Sequence, residues 1–77
     1  MNTAYVALGA NIGDPEATVL AAFAALANLP DSRVVHTSSL YRTAPVGLKH
    51  QPDFINAVAA LETGLDPEGL LDALLDL

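Results

Sequence analysis

The sequence predicts an α+β sandwich, in which two helices cover one face of an antiparallel sheet. Three observations lead there. Segments Thr3–Leu8 (TAYVAL) and Phe54–Thr63 (FINAVAALET) have strand character. A Val-, Thr- and Tyr-rich stretch, Arg33–Thr43 (RVVHTSSLYRT), reads as a further long strand. Asp-Pro-Glu occurs twice, at residues 14–16 and 66–68, each time ahead of an apolar run, which is how a helix begins. The order is therefore strand, helix, strand, strand, helix. One more strand would complete a ferredoxin-like β-α-β-β-α-β sandwich, so the chain reads as that fold truncated before its last strand. Helices on one face leave the other free for a ligand.

Taken in order, Thr3–Leu8 is almost wholly apolar, as a buried central strand is. Gly9 to Asp14 (GANIGD) reads as a loop. Asp14 then caps a helix. Pro15 suits its first position, and Glu16 complements the positive end of its dipole. Val19, Leu20, Phe23, Leu26 and Ala27 fall at helical spacing and predict the buried stripe. The helix is expected to span Pro15–Asn28, because Pro30 cannot continue it. From Ala44 to Asp53, Pro45, Gly47 and Pro52 break any regular element and predict a loop.

Phe54–Thr63 alternates. Ile55, Ala57, Ala59 and Leu61 face one side, and Phe54, Asn56, Val58 and Glu62 the other. An Ala-rich helix is the competing assignment there. Asp66 caps the second helix, expected over Pro67–Leu77. Leu65 and Leu70 are placed as a hydrophobic staple, with Leu70, Leu71, Leu74 and Leu75 as its apolar stripe. The helix ends in mid-stripe without a capping Gly or a Pro, so the native sequence is expected to continue.

Size and composition bound the function. With 77 residues, the chain is a single domain with a thin core. Hydrophobic residues make up 52%, charged residues 16%, and mean hydropathy is +0.38, the reverse of a disordered chain. Net charge is −6, with Arg33, Arg42 and Lys49 the only cations. Nucleic-acid binding, which needs a cationic surface, is disfavoured. There is no cysteine, no apolar run of membrane-spanning length and no signal-peptide pattern. The expected location is the cytoplasm.

Few residues are placed for chemistry. The Gly9-x-Asn11-x-Gly13 loop lies between a strand and a helix start, where phosphates often bind. It lacks both the dinucleotide fingerprint and the Gly-Lys-Ser/Thr of a P-loop. A tight turn, with Gly at positive φ, is the plainer reading. His36 lies in a strand and His50 in a loop, with no ligand pattern around either. No Asp-x-Asp pair forms a magnesium platform. No metal ligand and no catalytic residue is therefore assigned within the chain.

Asn56 is more informative, because a carboxamide inside an apolar strand must use its donor and acceptor. Either it makes an internal hydrogen bond to a neighbouring loop, or it reads a planar heterocycle. The alternating edge of a pterin or purine matches one donor and one acceptor, and Phe54 would supply ring contact.

AYVALGANIGDP, SSLYRTAPVG and QPDFINAVAALET followed by LDPEGLLDAL span nearly the whole chain. In order and spacing they resemble the 6-hydroxymethyl-7,8-dihydropterin pyrophosphokinase family of folate biosynthesis, in its N-terminal half. The resemblance implies a ferredoxin-like fold. It also implies transfer of a pyrophosphoryl group from ATP to the pterin hydroxymethyl oxygen, with AMP released and Mg2+ assisting. It assigns the pterin to Thr43, Ala44, Pro45, Val46, Phe54 and Asn56, with Gly9 and Asn11 beside them. Ala44 and Val46 depart from a common Pro and Leu, and Phe54 from a frequent Tyr. In the family, the magnesium carboxylates, the triphosphate-binding Arg and His residues and a second aromatic lie in the C-terminal half. Leu75 stands where a nucleotide-proximal Gln is common. This half alone is thus expected to be inactive, with the C-terminal half as its possible partner. The alternative is a non-catalytic ferredoxin-like module that binds pterin or serves assembly.

Overall fold

A computed structural model describes residues 1–47 and 50–77. Its elements are β1 (Asn2–Ala10), α1 (Pro15–Leu26), β2 (Ser32–Thr37), β3 (Tyr41–Thr43), β4 (Phe54–Thr63) and α2 (Pro67–Leu75). β4 is the centre of a four-stranded antiparallel sheet. β1 flanks it on one side, while β2 and β3 pair in succession along the other. The α+β, ferredoxin-like arrangement is the one expected, and Phe54–Thr63 is a strand.

Period-two alternation decides which face of β4 is covered. Ile55, Ala57, Ala59, Leu61 and Thr63 are buried, with Ala59 and Leu61 at 0% exposure. Phe54, Asn56, Ala60 and Glu62 are half-buried and Val58 is exposed. On the covered face, Phe23 and Leu26 of α1 and Leu70, Ala73 and Leu74 of α2 pack with Leu29 on Ala59 and Leu61. A second cluster joins Val19 to Ile55 and Ala57, with Leu8, Ala10 and Leu40 against it. Alanines at 57 and 59 let the helices lie close to the strand, and fully burying a Leu contributes about 1.5–3 kcal/mol. Thr63, a buried polar side chain of the core, shares a 2.7 Å hydrogen bond with Ser32 Oγ and accepts one from the Leu65 amide at 3.1 Å.

Both helix starts are as expected. Asp14 accepts from the Ala17 amide at 3.1 Å and Asp66 from the Gly69 amide at 2.7 Å, with Pro15 and Pro67 opening the helices. Both helices end two residues earlier than expected. The buried stripes also need correction. In α1 the buried and half-buried residues are Pro15, Val19, Ala22, Phe23, Ala25 and Leu26, whereas Leu20 and Ala27 are exposed. Nearly every residue of α1 after Glu16 is apolar, so composition does not single out a face. In α2, Leu71 and Leu75 are 56% and 74% exposed, and Leu70, Ala73 and Leu74 face inward.

The expected single strand Arg33–Thr43 is two strands, interrupted at Ser38–Leu40. The break follows a bulge between Val34 and His36, which bends the strand. Ser38 bridges the interruption. Its amide donates to the Val58 carbonyl at 2.8 Å, and its Oγ accepts from the Val58 amide at 2.8 Å. The side-chain hydroxyl thus stands in for a backbone carbonyl in the ladder. Leu48 and Lys49 of the expected loop lie outside the described residues. No described helix is long and apolar enough to cross a membrane.

Candidate functional site

The uncovered face of β4 organises the site. Asn56 is opposite Gly9 of β1 on one side and Tyr41 of β3 on the other, and Phe54 is opposite Thr43. Directly paired residues share a face. Gly9, Tyr41, Thr43, Phe54 and Asn56 are therefore side by side on the surface that the helices leave open. Gly9 is not the loop residue expected, because β1 runs on to Ala10 and Gly9 is a strand residue. The positive φ expected in this segment belongs to Gly13, at 69°.

Asn56 is held from two directions. Its Nδ2 donates to Thr43 Oγ1 at 2.6 Å, diagonally across the β3–β4 pair. Its Oδ1 lies over Gly9, where an added Cβ would come within 2.9 Å of it. Of the two readings left open for this residue, the internal hydrogen bond is present, with a strand residue as its partner. That bond uses one of two Nδ2 hydrogens. The other hydrogen, the Oδ1 lone pairs and the Thr43 hydroxyl hydrogen remain for a ligand. Donors and an acceptor on neutral side chains suit the edge of a neutral planar heterocycle, and none of them carries a charge to offset that of a phosphate.

The remaining candidates lie around this group. Phe54 is half-buried at the start of β4. Ala44, Pro45 and Val46 follow β3 in the loop, where Pro45 is half-buried and Val46 is 98% exposed. Asn11 is half-buried just past β1. Its Nδ2 donates to Gln51 Oε1 at 3.4 Å and to the Pro52 carbonyl at 3.5 Å. These long bonds tie the β1–α1 connection to the segment that leads into β4. Tyr41 and Gln51 belong to the SSLYRTAPVG and QPDFINAVAALET motifs but are not among the site residues that the resemblance implies. Tyr41 is two residues from Thr43 on a strand and so shares its face, a signal that was there to be read.

Among the described residues, the two ion pairs lie outside this group. Arg42 pairs with Glu16 at 3.4 Å, and Arg33 with Glu62 at 2.7 Å, both pairs on the surface. His36 is a sheet residue, and both His36 and His50 are exposed. Among the described residues, no three His, Cys, Asp or Glu side chains converge as metal ligands. A hollow between the ends of the helices, lined by Asn28, Leu29, Pro30, Asp72, Ala73 and Leu77, includes none of the candidate residues.

Residues 5–77 match the family model described as 7,8-dihydro-6-hydroxymethylpterin-pyrophosphokinase. The chain belongs to this family. Among curated relatives, the 2-amino-4-hydroxy-6-hydroxymethyldihydropteridine pyrophosphokinase of Haemophilus influenzae is 47% identical over 74 residues, which are 96% of this chain and 46% of that protein. The protein of the same name from Pseudomonas aeruginosa is 50% identical over 70 residues, 91% of this chain and 43% of the relative. That of Methylorubrum extorquens is 46% identical over all 77 residues and 49% of its own length. The chain thus spans about half the length of these family members.

Proposed function

We propose that this chain is the pterin-binding half of an enzyme that transfers a pyrophosphoryl group from ATP to 6-hydroxymethyl-7,8-dihydropterin. The observation that carries the reading is the Asn56 carboxamide, anchored by Thr43 on an uncovered sheet face with a donor and an acceptor still unused. Asn56 pairs with the pterin edge, and the Thr43 hydroxyl adds a second polar contact. Phe54 lies against the ring. Ala44, Pro45 and Val46 border the pocket through their backbone, and Gly9 and Asn11 form its far wall.

In the reaction, the hydroxymethyl oxygen attacks the β-phosphorus of ATP. The new O–P bond forms as the bond from that phosphorus to the oxygen bridging to the α-phosphorus breaks. AMP leaves with the bridging oxygen, and the hydroxyl proton is lost. What these residues contribute is orientation of the acceptor, because binding it in a single pose presents its oxygen for in-line attack.

Mg2+ is implied by the family for neutralising phosphate charge. Among the described residues, no three His, Cys, Asp or Glu side chains converge as its ligands. Its ligands, and the cations that hold ATP, are assigned to the part of the relatives that this chain does not span, which also makes that part its partner. The cytoplasm, which supplies ATP, is the location we propose for this reaction.

Calorimetric titration of 6-hydroxymethylpterin into the 77-residue chain, with NMR mapping, tests the reading. Saturable binding that shifts the Thr43, Phe54 and Asn56 resonances is expected. No binding, or binding that leaves these three unmoved, overturns it.

A further inference from the structure

We infer that Gly9 is a positioning residue for Asn56. Its missing side chain lets the carboxamide lie over β1 in the one orientation that Thr43 then locks. This deepens the pterin reading and rests on it only for the ligand.

Gly9 and Asn56 are directly opposed on β1 and β4. A Cβ at position 9 would approach Asn56 Oδ1 to 2.9 Å, and the next neighbour, the Ile55 carbonyl oxygen, stays at 3.9 Å. The conflict is therefore with a single side-chain atom and not with the backbone. Real Cβ atoms essentially never sit that close to an oxygen, so the carboxamide has to move. It has little freedom to do so in place, because Nδ2 is held by Thr43 Oγ1 at 2.6 Å. Rotation that carries Oδ1 away from β1 swings Nδ2 off the hydroxyl. A side chain at position 9 thus acts on the far strand by breaking the Asn56–Thr43 bond.

Gly9 is not kept for its backbone. It lies in regular strand, and the glycines with positive φ are Gly13 and Gly47. Glycine weakens a strand interior relative to alanine. A glycine at a strand position that any residue's backbone can adopt, facing the one strand carboxamide on the open face, has a steric role. The polarity of the site follows from it. With Gly9, Oδ1 is presented towards β1 and Nδ2 towards β3, so a ligand meets acceptor and donor in that order across the sheet. With a larger residue the order is lost, although every polar group is still present.

The test is Gly9→Ala, with Ala7→Ser as control, since Ala7 shares the face but is opposite Val58. Three readouts are taken on the 77-residue chain: thermal melting, the Asn56 side-chain amide signals with their contacts to Thr43, and affinity for 6-hydroxymethylpterin. Gly9→Ala is expected to melt at or above the parent temperature, to shift the Asn56 side-chain amide signals and lose their contacts to Thr43, and to bind pterin at least about tenfold more weakly. Ala7→Ser leaves all three unchanged. An undisturbed Asn56–Thr43 contact in Gly9→Ala overturns the inference while leaving the pterin reading intact. So does a large drop in melting temperature, which would mark Gly9 as a packing residue. If the amide moves as expected but the parent chain itself takes up no pterin, positioning stands and the pterin reading falls. A displaced amide with unchanged pterin affinity overturns the claim that the orientation matters to the ligand.

Discussion

Replacing Asn56 with Ala separates the two roles available to this residue. In the unliganded chain, the substitution removes one hydrogen bond, the 2.6 Å contact to Thr43 Oγ1. Such a bond contributes about 0.5–1.5 kcal/mol net. Thr43 is exposed, so its hydroxyl turns to water instead of being stranded, and the loss belongs at the low end of that range. The change leaves no large cavity, because Asn56 is only half-buried and faces away from the helices. For a domain of this size, about 1 kcal/mol moves Tm by roughly 4–8 °C, so a fall of a few degrees is the expected cost. Ligand binding loses more. A donor and an acceptor on the pterin edge are left desolvated and unpaired, at about 1–3 kcal/mol each. A combined loss of about 3 kcal/mol is more than a hundredfold in affinity. Calorimetric titration of pterin into Asn56→Ala, beside thermal melts of the unliganded parent and variant, reads both quantities. Unchanged affinity in a folded variant would refute the reasoning. A collapse in Tm would show that the carboxamide serves the fold first.

Other outcomes follow from the same geometry. Leu61→Ala, at a side chain with no exposure that packs against both helices, should cost about 2–5 kcal/mol, measured by urea denaturation. Asp66→Ala removes the cap bonded to the Gly69 amide at 2.7 Å and should cost about 0.5–2 kcal/mol in the same assay. Arg33→Ala breaks a short ion pair whose side chains are 70% and 42% exposed; its effect should stay below about 1 kcal/mol and fade with salt. The 77-residue chain, incubated with ATP, Mg2+ and 6-hydroxymethyl-7,8-dihydropterin, should release no AMP; release that depends on both substrates would overturn the proposal that phosphate binding belongs to the part of the relatives that this chain does not span.

Much of this was legible in the sequence, for identifiable reasons. Asp14-Pro15 and Asp66-Pro67 are local signals whose hydrogen bonds close within a turn, so they survive any tertiary context. The alternation of Ile55, Ala57, Ala59 and Leu61 against Phe54, Asn56 and Val58 is fixed by strand geometry, which put Asn56 on the open face. What escaped depends on neighbours. The break at Ser38–Leu40 needs Val58 as a partner, and the bulge before it depends on the register of β4. The inward face of α1 could not be chosen by composition among so many apolar residues, and Leu20 was assigned to the wrong side. Gly9 read as loop because glycine usually marks turns. Its extended conformation and its opposition to Asn56 arise only from pairing across 46 residues of intervening chain.

The brevity of β3 has a consequence for how a ligand would be held. Thr43 ends a strand of three residues, paired only with the first three residues of β4, beyond the interruption at Ser38–Leu40. Short ladders at a sheet corner open at lower free energy than long ones at its centre. The hydroxyl that orients Asn56 is therefore carried by the part of the sheet that frays first, while Asn56 itself grows out of the best-packed strand. One side of the site rests on a strand of ten residues and the other on a strand of three. A heterocycle that bridges the two would close that corner as it binds, and part of its binding energy would go into finishing the sheet.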